Sequence, residues 1–298
     1  MFSSLNSLFG GIAFTILTGV IWTVLGAVYS GVASKQKSIV SFMFFSTVFF
    51  ALLIWIFRFP REISSAELGR VALAMIPAGL CGIAGFQMLF WAMRKGSHAV
   101  AWTFTQSAMV LPFLGGWLIF HQAVKWFNFS GLLLIISALC ALGISQNKRA
   151  ERKNSLAALC LCVGAMFIQG MSQFCTLLPG EWGMSEAALS WRLPLLALNS
   201  LAVWTGAFLA LRPGFDKETF KMSGLYSFVT AAGQVTLYFA IDALTPAGMT
   251  GIVYPAAISI CIMLFALYCA LFRKEKITSL ACCGLLQLLG GVILLFWH

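Results

Sequence analysis

Ten apolar stretches, each close to the length of a membrane-crossing helix and most of them joined by very short polar turns, account for nearly all of this 298-residue chain. A helix of about 20 residues spans a ~30 Å hydrocarbon core. Inside lipid, only helices and closed barrels satisfy their own backbone hydrogen bonds. The spans fall at residues 8 to 32, 38 to 57, 68 to 93, 98 to 120, 127 to 144, 156 to 178, 187 to 211, 222 to 243, 247 to 271 and 277 to 297. Composition agrees, since 60% hydrophobic and 9% charged residues with a mean hydropathy of +0.93 leave a soluble surface too little charge. The expected fold is an all-α integral membrane protein of ten transmembrane helices.

A second pattern divides the chain. At an offset of 148 residues, AGFQMLFWAMRKGSHA from Ala84 to Ala99 lies without a gap on AGQVTLYFAIDALTPA from Ala232 to Ala247. Ala84, Gly85, Leu89, Ala92 and Ala99 meet their identical counterparts, and Phe90 and Trp91 stand opposite Tyr238 and Phe239. The strongly polar run QNKRAERKNS, Gln146 to Ser155, separates the halves. The expected organisation is a first five-helix repeat over 1-144, a basic linker over 145-155 and a second five-helix repeat over 156-298. Units with an odd number of spans insert in opposite senses. This is the inverted repeat that transporters use to place a substrate site at the repeat interface.

Charge orients the bundle. Loops after odd-numbered spans hold Lys35, Lys37, Arg94, Lys95, Lys148, Arg149, Arg152, Lys153, Arg212, Lys217, Lys221, Arg273, Lys274 and Lys276; those after even-numbered spans hold only Arg58, Arg61, Arg70 and Lys125. By the positive-inside bias both termini are expected outside and the central linker in the cytoplasm, in the cell (inner) membrane. The net charge of +10 is then a topology signal rather than a nucleic-acid face. Met1 to Ser7 lack the basic start of a cleaved signal peptide. All nine cysteines fall in apolar spans without metal-ligand spacing, and read as small apolar helix residues.

Several of these features together resemble a known family. Two five-helix repeats, Trp22 in the first helix, the junction from Phe90 to Ala99, Pro112 late in the fourth helix and glycine-led fifth helices (Gly131, Gly284) are similar to the drug/metabolite transporter (DMT) superfamily, EamA-type. Those proteins usually carry an acidic residue in the turn between helices four and five, where this chain has Gln122 in the first half and Glu275 in the second. Many of them have a cytoplasmic N-terminus, which the charge bias here reverses. A basic first loop, a basic linker and Gly170-Met171-Ser172 are similar to the L-rhamnose and proton symporter branch. The resemblance implies a secondary transporter of a small polar metabolite, either a sugar-type importer or an exporter of amino acids or other metabolites.

Polar groups inside the bundle are the natural substrate ligands, because each unpaired one in hydrocarbon costs several kcal/mol. The substrate-binding candidates are Trp22, Gln87, Gln106, Gln169, Gln173, Arg192, Gln234, Tyr238 and Tyr254, with Asn199 and Gln287 as further polar residues in spans. Gln169 with Gln173, and Gln234 with Tyr238, are four apart and share a helix face. Beside Trp22, Phe90 and Trp91 they suit a small polyhydroxylated or zwitterionic solute. The alternative is that each glutamine only bonds a neighbouring helix.

Arg192 is the one ionisable residue well inside a span. It is expected either to bind an anionic substrate group, to pair with Glu186 or Asp242 at an outer gate, or to snorkel to the headgroups. Pro194 beside it is expected to loosen the backbone. No acidic residue lies mid-membrane, and His98, His121 and His298 read as interfacial, so no proton relay is legible; Asp242 and His98 are the nearest candidates. Gly19 and Gly26, like Gly284 and Gly291, are seven apart and favour close helix packing. With no GxxxxGK[ST], no HExxH and no Ser/His/Asp grouping, neither an ATP-driven pump nor a membrane enzyme is expected. No catalytic residue, metal or cofactor is assigned. A sensor would need an output domain for which the spans leave no room. The expected partners are a small-molecule substrate and the lipid bilayer, not nucleic acid, in a monomer or homodimer.

Overall fold

The computed structural model describes residues 2–35, 37–57, 60–95, 98–122, 124–147, 155–272 and 279–296. Arg58, Lys148, Arg149, Glu151, Arg152, Lys153, Arg273, Lys274, Glu275, Lys276 and His298 lie outside the described residues, so the charge reading of those turns, most of the central linker and the Glu275 position rest on sequence alone.

Among the described residues every regular element is helical: α1 (Phe2–Ser34), α2 (Ile39–Phe57), α3 (Ser65–Lys95), α4 (His98–Gln106), α5 (Val110–Leu118), α6 (Trp126–Asn147), α7 (Ser155–Glu181), α8 (Glu186–Leu189), α9 (Arg192–Leu211), α10 (Lys217–Leu244), α11 (Thr250–Phe272) and α12 (Ser279–Phe296). Seven helical stretches are long and apolar enough to cross a bilayer, namely 8–34, 39–57, 65–95, 157–181, 186–211, 217–247 and 250–272. Shorter apolar helices occur at 126–141 and 282–291. The chain is therefore an all-α protein with the helices of a multi-pass membrane protein.

Two expected spans are not continuous. The span at 98 to 120 is two short helices, α4 and α5, joined by a 3-10 turn over Ser107–Met109. Pro112 has no N–H to give the Ala108 carbonyl four residues back, so the regular ladder is interrupted there. The span at 187 to 211 is split into α8 and α9, with the break at Ser190 and Trp191. Pro194 sits in the first turn of α9, where a missing N–H has no intrahelical partner to lose.

The helices assemble as long antiparallel contacts of α3 on α7, α1 on α10 and α6 on α12, with α1 also against α11 and α2 against α9 and α10. Close approach depends on glycines: Gly291 of α12 packs where a Cβ would lie 2.8 Å from the Gly131 backbone oxygen of α6, and two more sit at a corresponding pair of contacts. A Cβ at Gly19 of α1 would lie 2.6 Å from the Ala257 backbone oxygen and 2.8 Å from Ile260. A Cβ at Gly170 of α7 would lie 2.9 Å from the Ala108 backbone oxygen and 2.9 Å from Leu111. The contacted residues correspond, Ala108 with Ala257 and Leu111 with Ile260, each pair 149 positions apart. Cys162, Cys175 and Cys261 are buried, Cys81 is half-buried, Cys140, Cys160, Cys282 and Cys283 face outward, and none of these eight is in a disulfide.

Candidate functional site

A cavity of about 180 Å³ lies within the bundle, walled by α1, α2, α3, α4, α7, α9, α10 and α11. Trp22, Gln106, Gln169, Gln173, Gln234 and Tyr254, six of the nine expected site residues, line it. The helical spacing is the cause. On α10 the wall is Tyr226, Ser227, Thr230 and Gln234, and on α3 it is Ala78, Gly79, Gly82, Ile83 and Phe86. Recurrence every three to four residues presents one face of each helix. Four of these α10 positions are the α3 positions 78, 79, 82 and 86 advanced by 148. Gln106 on α4 and Tyr254 on α11 bear the same relation.

None of the lining residues carries a charge. Trp22, Trp102 and Trp204 with Phe50, Phe86, Tyr226 and Tyr254 form its aromatic parts. Trp22 stacks against Tyr254 with ring centroids 6.2 Å apart, and the Tyr254 hydroxyl lies 2.6 Å from Thr176 Oγ1. Trp102, Trp204, Tyr226, Thr105 and Thr230 were not among the residues expected from sequence. The four-residue helical spacing carried back along α10 from Gln234 would have named Thr230 and Tyr226. Nothing in the sequence distinguishes Trp102 and Trp204 from the other tryptophans, several of which face outward.

The remaining three expected site residues are elsewhere. Gln87 is half-buried on α3, outside the wall that ends at Phe86, because one residue along a helix turns the side chain by about 100°. Tyr238, one turn beyond Gln234, has left the cavity and lies under Arg192, whose guanidinium carbon is 4.2 Å from the ring centroid. Arg192 itself is 2% exposed and does not snorkel. Its Nη2 donates to both carboxylate oxygens of Asp242, at 2.7 and 2.9 Å, and its Nε to the Leu189 carbonyl at 3.3 Å. Glu186 pairs instead with Arg61, at 3.4 Å. Of the other polar candidates, Asn199 donates to the Ile76 carbonyl at 2.8 Å and Gln287 accepts from Ser137 at 3.5 Å. Both are helix-to-helix bonds outside the cavity wall. Trp91 is 48% exposed and faces away from the cavity, whereas Phe90 is fully buried.

Beyond the cavity, toward the end of the bundle that carries Lys35, Lys37 and Arg94, an aromatic plug fills the interior. Tyr29 contacts the rings of Phe42, Phe86, Phe90 and Tyr226, and its hydroxyl donates to the Phe86 carbonyl at 2.7 Å. Over it, the loop before α2 is tied to the loop before α10. Lys37 Nζ lies 2.7 Å from Asp216 and 3.3 Å from Glu218, Lys35 pairs with Glu218, and Arg94 donates to the Lys37 carbonyl at 2.6 Å. Asp216 is also the N-cap of α10, accepting from the amides of Glu218 and Thr219. At the other end Gln122 bridges, donating to Glu181 at 2.8 Å and accepting from the Gly251 amide at 3.1 Å. His121 before it is exposed with φ 51°, and His98 contacts Ser30 through Nδ1 at 3.1 Å.

The lysine-facing loops give a pH prediction. Hydrogen bonds to Lys37 and Thr219 hold the Asp216 carboxyl well below the usual carboxylate range, while Asp216 and Glu218 push the Lys37 ammonium up. The Asp216 contribution is therefore present above an unfolded pKa of about 3.9 and lost as pH falls through the lower folded value. The Lys37 contribution is present below about 10.4 and lost as pH rises through the raised one. Thermal unfolding of the detergent-purified protein is expected to show the full contribution of this cluster, and no pH dependence from it, between about pH 5 and 9. Asp216→Asn is expected to flatten the acid limb. An acid limb unchanged in that variant would assign it to other carboxylates.

No protein-family profile matches the sequence, and no curated protein matches it. Among solved structures, 28 chains match in fold. One of them, described only as "Crystal structure of protein", superposes with a TM-score of 0.64 at 11% sequence identity, covering 98% of this chain and 97% of that chain. The likeness is one of fold over the full length of both.

Proposed function

We propose that the chain is a secondary transporter that moves a small polar metabolite by alternating access, with the solute held in the mid-bundle cavity. The carrying observation is the wall itself: an uncharged cavity of polar and aromatic side chains, drawn at corresponding positions from α3 and α10 and from α4 and α11. That correspondence, with the paired Gly19 and Gly170 contacts, supports two five-helix copies in inverted orientation, ten spans in all once α4 with α5 and α8 with α9 are each counted as one. The motifs around Trp22, Pro112 and the repeat junction support membership of the DMT superfamily, EamA-type. A cavity below the ~300 to 1,000 Å³ of drug-sized sites suits a solute of metabolite size. The excess of basic residues on loops after odd-numbered spans supports both termini outside and a cytoplasmic linker, in the cell (inner) membrane. The neutral wall favours a sugar-type solute over an amino acid. Rocking of the halves requires the Tyr29 plug and the Lys37 ion pairs to separate when the cavity opens toward that face.

Reconstitution into proteoliposomes, incubation with a pooled metabolite mixture and mass spectrometry of the washed vesicles tests this. Wild-type vesicles are expected to retain at least one solute above protein-free vesicles. Thr230→Trp, which fills the wall of the cavity, is expected to abolish retention while eluting as a monodisperse species. No solute retained by the wild type, or retention unaffected by Thr230→Trp, would remove the reading.

A further inference from the structure

The cavity wall is asymmetric in its hydrogen-bonding capacity. A serine or threonine hydroxyl has one hydrogen and two lone pairs. Ser46 donates to the Phe42 carbonyl at 2.7 Å, Thr47 to Phe44 at 2.9 Å, Ser172 to Ala78 at 2.7 Å and Thr230 to Tyr226 at 2.7 Å. Ser227 donates to a backbone carbonyl as well, of Ser46 at 2.6 Å or Ser223 at 2.7 Å. With their hydrogens engaged by backbone, these hydroxyls offer a solute only lone pairs. The amide oxygens of Gln169 and Gln173, the indole N–H of Trp204 and the Thr105 hydroxyl, the last able to donate as well as accept, are buried in the same wall without a partner. Leaving such groups unpaired is unfavourable, so a solute that bonds them is selected.

Net charge is the second constraint. No carboxylate, lysine or arginine belongs to the wall, and the buried guanidinium nearest to it in sequence terms, Arg192, is engaged by Asp242. An ammonium would gain aromatic faces at Trp22, Trp102 and Trp204. Without a counter-charge, its lost hydration outweighs a cation–π contact. An anion would find neither. A neutral solute with many hydroxyls fits both constraints: its hydrogens reach the lone pairs, its oxygens accept from glutamine and indole N–H groups, and its C–H faces lie on the rings.

We propose that the cavity binds an uncharged, polyhydroxylated solute of monosaccharide size, with Gln169 and Gln173 accepting from its hydroxyls and Trp204 donating to one of its oxygens. The inference rests on the transporter reading and specifies its substrate class. The test is thermal-shift titration of the full-length purified protein with aldohexoses, deoxyhexoses and pentitols, beside neutral amino acids and tetraalkylammonium salts. A ligand of the folded state raises the melting temperature by mass action. At least one neutral polyol is expected to stabilise the wild type. Its apparent Kd is expected to weaken roughly tenfold or more in Gln173→Leu and for the analogue lacking the bonded hydroxyl. Trp204→Phe, which removes the N–H and keeps an aromatic ring, serves as the second variant and is expected to weaken binding in the same sense. Stabilisation by an amino acid or an ammonium ion, with retention of that solute in proteoliposomes, would overturn the polyol inference and leave the transporter reading standing. Absence of stabilisation by every polyol would overturn the inference as well. Failure of any solute to be retained removes the transporter reading instead.

Discussion

Asp242→Ala is expected to lower the apparent unfolding temperature of the purified protein by roughly 10 °C, and Arg192→Leu by much less. The asymmetry follows from exposure. Arg192 is 2% exposed, whereas the Asp242 side chain is 41% exposed. Removing the carboxylate leaves a buried guanidinium with only the Leu189 carbonyl and the Tyr238 ring, and its Nη1 already has no partner. Breaking a fully buried pair costs about 3 to 5 kcal/mol; with the carboxylate 41% exposed the lower end applies, and a kcal/mol shifts the midpoint of a domain of 150–250 residues by about 2 to 4 °C. Removing the arginine instead leaves a carboxylate that reaches water. The double variant, Arg192→Leu with Asp242→Ala, is expected to recover most of the loss, because it leaves no unpaired charge. Equal losses in the two single variants would mean that the pair is solvated as a unit, and that burial of Arg192 does not set its energetics.

Gly19→Val and Gly170→Val are expected to abolish recovery of monodisperse protein, whereas Gly206→Val on α9 is expected to be tolerated. At Gly19 and Gly170 the nearest obstacle to a Cβ is a backbone oxygen, at 2.6 and 2.9 Å, and a backbone oxygen cannot swing aside as a side chain can. Overpacking of a tight contact ordinarily costs about 1 to 3 kcal/mol. Here two helices must part along the contact, so the upper end or more applies at each site. Gly206 is exposed, with nothing within 4 Å of a Cβ, and controls for helix propensity and insertion. Size-exclusion chromatography after identical extraction reads the outcome. Normal recovery of either glycine variant would mean that α1 and α11, or α7 and the 3-10 turn before α5, separate more easily than their contact implies.

The candidate site was legible in part, and the boundary has a physical reason. Gln169 and Gln173 both reach the cavity because four residues of helix return to nearly the same face, and both positions lie at its depth. Gln234 and Tyr238 have the same spacing, but a turn of helix also advances 5.4 Å along the axis. That advance carries Tyr238 past the cavity and under Arg192. Face can be read from spacing; depth depends on where the neighbouring helices put the void. Asn199 shows the same limit, since its amide is polar and in a span, yet it meets the Ile76 carbonyl of α3 rather than the cavity.

The sequence by itself determined the helical class, the positions of most spans, the close-packing glycines of α1 and the correspondence between the halves, because apolar length and 3.6-residue periodicity are local properties written into the chain. Only the tertiary structure decided which polar groups share one cavity, that Arg192 takes Asp242 rather than Glu186 or the headgroups, that Lys37 is tied to Asp216, and that the span holding Pro112 is broken. Those outcomes depend on the depth and rotation of helices far apart in sequence, set by how their surfaces pack, and no local pattern records them.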